Sequence, residues 1–72
     1  MNIEQANEIL AQHHVDQEAL DDFFHELWGL RESGDMNMLE SPRWLEDEFD
    51  VPKKAARAIF YKWAKTFEEP TS

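Results

Sequence analysis

Apolar residues in this chain return every three or four positions, and no stretch alternates apolar with polar residues convincingly. That period belongs to helices with one buried face, and strand signals are weak. Over residues 2–13, Ile3, Ala6, Ile9 and Leu10 form a single stripe. Asn2 stands where a helix needs an N-cap, and Gln5 follows at the capping-box spacing. A second start falls at Asp16, with Glu18 in the first turn, where the helix dipole favours an acid. Leu20, Phe23, Phe24, Leu27 and Leu30 or Arg31 then trace the strongest stripe in the chain. Ser33-Gly34 ends it, because glycine readily takes the left-handed conformation that closes a helix.

Between 35 and 41 the sequence permits two helix starts. Asn37 with Glu40 reads as an N-cap and its reciprocal partner, and Ser41-Pro42 reads equally well as N-cap and first helical residue. Either way the third helix is short, turns Leu45 and Phe49 inward, and ends near Asp50. Val51-Pro52 opens the last helix, whose buried stripe is Ala56, Ile59, Phe60, Trp63 and Phe67. The tail from Glu68 to Ser72 has nothing to bury and is expected to fray. The expected architecture is all-α: a compact four-helix domain over 1–67 around an aromatic core, with 68–72 as a loose end.

Phe49-Asp50-Val51-Pro52 joins the last two helices through only a few residues, which forces a sharp angle between them. Leu45, Phe49, Val51, Ala56 and Ile59 fall at the five buried positions of a helix-turn-helix, so the pair resembles that motif. Two positions depart from it. Glu46 stands where a small residue usually lets the helices approach, and Asp50 stands where glycine usually makes the turn.

Charge changes the picture more than size does. Residues 1–50 hold 14 acids against Arg31 and Arg43, a net of −12; residues 51–72 hold five bases against Glu68 and Glu69, a net of +3; the total is −9. So acidic a chain repels nucleic acid and anionic membrane unless one face is locally basic. Such a face is written into the last helix. Lys53, Lys54 and Arg57 occupy its first turns, and Lys54, Arg57, Ala58, Tyr61 and Lys65 share a stripe opposite or beside the buried one. That stripe can meet a protein partner or a run of phosphates, or it can simply offset Glu46, Asp47, Glu48 and Asp50 on the neighbouring helix. Trp44 points about 100° away from Leu45 on its helix and joins Arg43 as a candidate contact.

Other chemistry is thin. The chain has 72 residues and no cysteine, so it holds one domain, no disulfide and no thiolate site. Chains this short bury only roughly 60% of their unfolded surface, and formation of a homodimer is one available supplement. His13 and His14 are adjacent and diverge on a helix, and His25 stands apart, which does not make a zinc site. The acids at 18–26 and 46–50 read as solvated helix faces. Ser33, Ser41, Thr66, Thr71 and Ser72 lack a base at any recognisable spacing. No catalytic residue, cofactor or metal is expected. The start MNIEQANEIL lacks the pattern of a signal peptide, and no apolar run reaches membrane-spanning length, which points to the cytoplasm and away from membranes.

The string Leu27-Trp28-Gly29-Leu30-Arg31-Glu32-Ser33-Gly34, followed by Asn37-Met38, Leu45, Phe49, Ala56-Arg57, Trp63 and Phe67, resembles small uncharacterised proteins of bacteriophages and prophages. In these an ESG-x-x-NM segment precedes a short helix and a final helix ending in Trp and Phe. The likeness covers residues 27–67 and leaves out the first helix. It implies a phage or mobile-element origin, hence a host cytoplasm, and brings no activity with it.

Together these features predict a small acidic binding module that is not an enzyme: a phage-encoded or regulatory adaptor docking on a protein. Its contacts are expected at Arg43, Trp44, Lys53, Lys54, Arg57, Tyr61 and Lys65. The alternatives are a DNA-binding regulator that uses the basic last helix, needing a dimer on so acidic a body, and an acidic mimic of nucleic acid.

Overall fold

The helix punctuation of the sequence reappears as hydrogen bonds in the computed structural model, which describes residues 1–34 and 37–68, less the side chains of Met38, Phe67 and Glu68. Helix α1 (Ile3–Gln12) opens on a complete capping box: Gln5 N–H donates to Asn2 Oδ1 at 2.8 Å and Asn2 N–H donates to Gln5 Oε1 at 3.1 Å. Helix α2 (Gln17–Ser33) opens on Asp16, whose Oδ1 accepts from the Ala19 N–H at 2.9 Å. It closes on Gly34 in the left-handed region at φ 69°, with the Gly34 N–H bonded to the Leu30 carbonyl.

Of the two starts permitted by the sequence, the one at Asn37 forms and the one capped by Ser41 does not. Asn37 Oδ1 accepts from the Leu39 N–H at 3.0 Å and caps a single 3-10 turn, Met38–Glu40. Helix α3 (Ser41–Phe49) follows without a break. Glu40 is therefore the N-cap and Ser41 is the first helical residue, so α3 starts one residue earlier than a Ser41 cap would start it. The 3-10 turn has already brought Glu40 to φ −92°, ψ −3°, so the backbone is turning before it reaches Ser41, which is buried. Helix α4 (Lys53–Glu68) starts after Pro52, whose carbonyl takes its first bond from the Ala56 N–H at 2.9 Å.

Two chain reversals use left-handed residues that are not glycine. His14 has φ 59°, with the Val15 N–H bonded to the Leu10 carbonyl at 2.8 Å and the His14 N–H to the Ala11 carbonyl at 3.1 Å. This is a Schellman closure with histidine in the glycine position, and Val15 packs against the cluster that holds Leu10. Asp50 ends α3 in the same left-handed region, at φ 55°, ψ 39°.

Four helices make up the described fold, and no strand occurs among the described residues. Helix α4 packs on each of the other three, most extensively on α1 and α3. Its alanines 55, 56 and 58 are all buried, and Ala56, Ala58, Ile59 and Trp63 form one cluster with Ala6, Leu10, Leu20, Leu27 and Leu45. Ala58 thus belongs to the core and not to the basic stripe, because contacts from several sides widen the buried face of α4.

Two other expectations are corrected. Ile3 is exposed at the first turn of α1. Phe49 is 40% exposed, because α3 ends there, at the edge of the gap toward α2. Of the five helix-turn-helix positions, Leu45, Ala56 and Ile59 are buried, Val51 is half-buried and Phe49 is not. The side chain of Phe67 and the tail over 69–72 lie outside the described residues.

Candidate functional site

A cleft of about 610 Å3 lies between α3 and the start of α4, lined by Leu39, Pro42, Arg43, Glu46, Asp47, Lys53 and Arg57. Its construction is local. Arg43, Glu46 and Asp47 stand three and four residues apart on one face of α3, and Lys53 and Arg57 stand four apart on α4. Residues 50–52 are all that separates the two helices, which brings both rows to one opening. Leu39, at the 3-10 turn, is 77% exposed at the edge of this cleft.

No carboxylate of a described residue comes within 4.0 Å of the charged groups of Arg43, Lys53, Lys54 or Arg57. These cations are therefore not consumed by the acids of α3, although Glu46 and Asp47 share the cleft with three of them. Helix stability does not account for Lys53 and Lys54 either. They occupy the first turn of α4, at the positive end of its dipole, where a cation costs rather than gains. Only Lys65, in the last turn, sits where the dipole favours it.

The structure brings Arg43, Lys53 and Arg57 together. Tyr61 and Lys65 continue the Lys53–Arg57 row along α4 at four-residue steps, with Lys65 Nζ 5.5 Å from the centre of the half-buried Tyr61 ring. Lys54 is exposed one position off that row. Trp44 does not join the cleft; it turns the other way along α3 and packs edge-on against Phe49. Leu39 was missed by sequence reasoning, since a lone apolar residue between two caps gives no periodic signal. So was the inclusion of Glu46 and Asp47 in the same concave surface, which depends on how α3 is rotated.

Among the described residues no three His, Asp or Glu side chains converge as a metal site. No described helix is long and apolar enough to cross a membrane. No protein-family model matches the chain, and no curated protein or solved structure matches it.

Proposed function

We propose that this domain is a non-enzymatic binding module, a phage-encoded or regulatory adaptor, that docks on a protein partner through the cleft between α3 and α4. One observation carries the reading: Arg43, Lys53 and Arg57 share with Glu46 and Asp47 one opening edged by the exposed Leu39. A mixed-charge rim beside an apolar anchor suits a protein surface, where arginine and a buried aliphatic or aromatic contact concentrate the binding energy. Charges without internal partners give such a surface its register and its on-rate.

A second reading, a DNA-binding regulator, draws on Lys53, Lys54 and Arg57 at the start of α4, the position of a recognition helix. Glu46 and Asp47 weigh against it, because they would face the same phosphates.

The test is affinity capture from cell lysate with the wild type and with Arg43→Glu plus Arg57→Glu. Loss of a specific protein from the variant, with its circular dichroism unchanged, is the expected result. Equal recovery of the same proteins by both would rule the cleft out as the docking site. Duplex DNA titrated against the wild type separates the second reading: binding that falls steeply between low and moderate salt would favour it, and no binding at low salt removes it.

A further inference from the structure

A second concave surface lies between α2 and α3, and its charged lining is acidic where that of the first is mixed. Both helices pack on α4 but approach each other little, and aromatic rings bridge the gap between them. The Phe23 ring meets Phe49 edge-on at 5.3 Å and 85°, and Trp44 meets the same Phe49 at 5.5 Å and 80°. Two hollows of about 450 and 280 Å3 flank this row of rings and share His25 and Glu26 in their walls. One holds Asp22, Phe23 and Phe49; the other holds Gly29, Leu30 and Trp44. No lysine or arginine lines either.

We propose that this groove is a docking site for a basic amphipathic helix of a partner protein, separate from the α3–α4 cleft. Its walls run along α2 from Ala19 to Ser33, about 21 Å at the helical rise, which matches roughly four turns of a bound helix. Edge-to-face rings already fixed in position supply anchoring pockets with little ordering left to do. Helices recognised in this way present apolar side chains at three- and four-residue steps. The lining carboxylates, Asp22 and Glu26, select lysine or arginine on the flanks of that helix, and Glu18 and Asp21 add negative charge to the exposed side of α2. Gly29 leaves the groove open: a Cβ there would meet nothing within 4 Å.

The full chain can be titrated with a synthetic amphipathic peptide of about four turns, carrying leucines on one face and lysines on the other. A control peptide has the same composition with the leucine spacing scrambled. Amide and indole resonances report the contact. Saturable shifts at the Trp44 indole and at Phe49 and Gly29 are expected, with affinity about tenfold above the scrambled peptide. Gly29→Leu, which projects into open space, should weaken binding about tenfold without lowering the melting temperature, and Glu26→Lys should weaken it several-fold. Equal binding of the scrambled peptide, or shifts confined to other faces, would overturn the proposal. So would concentration-dependent shifts of Trp44 in the protein alone, which would put a second copy of this chain in the groove.

Discussion

The indole of Trp28 stands edge-on to that of Trp63, their centroids 5.5 Å apart and their planes at 72°. Trp63 is 1% exposed at the centre of the core, whereas Trp28 is 36% exposed and carries the Arg31 guanidinium 5.4 Å from its ring centre. Trp28 therefore acts as the lid of the core and Trp63 as its filling. Trp63→Ala should cost about 3–5 kcal/mol, the usual range for emptying a buried aromatic site. In a domain this small that removes most of the stability margin, so loss of the cooperative thermal transition is expected. Trp28→Ala should cost about 1–2 kcal/mol, since an edge-to-face pair adds about 0.5–1.5 kcal/mol to a partial burial. Thermal melts followed by circular dichroism decide both, and similar losses from the two variants would contradict this division of roles.

Backbone strain offers a second measurement. His14 at φ 59° and Asp50 at φ 55° hold left-handed conformations that glycine adopts without penalty. Asp50→Gly and His14→Gly should each raise stability by up to about 1 kcal/mol, or about 4–8 °C in melting temperature. Gly34→Ala, at φ 69°, should do the reverse by a similar amount. A drop in melting temperature for both glycine variants would show that the His14 and Asp50 side chains contribute more than their backbone costs.

The first turn of α4 separates stability from binding. Lys54 is exposed, lies outside the cleft lining and has no carboxylate of a described residue within 4.0 Å. Lys54→Glu places an acid where the dipole favours one and should stabilise the domain by about 0.3–1 kcal/mol. Denaturant titration is the suitable measurement, with an unchanged slope and a higher midpoint expected. A lower midpoint would mean that Lys54 already serves the fold, and the case for a partner-facing face on α4 would weaken accordingly.

Local signals determined the helices. Asn2 with Gln5, Asp16 and Gly34 each act within four residues of their own position, so their spacing alone located the starts of α1 and α2 and the end of α2. The stripes through Leu10, Leu27 and Ile59 likewise marked buried faces, because periodicity records which side of a helix leaves water. His14 escaped notice as a helix closure because its conformation is imposed by bonds to Leu10 and Ala11 and not by its own preference. Asp50 made the turn expected of glycine for a related reason: the short link between α3 and α4 fixes its geometry. Tertiary structure alone decided that α4 is gripped from several sides, which buried Ala58, and that α3 ends with Phe49 half in water. It also decided that Arg43 shares a cleft with Lys53 and Arg57 while Trp44, the very next residue, faces the groove toward α2. Successive residues on a helix diverge by about 100°, so which of them meet across two helices depends on a rotation that no local spacing encodes.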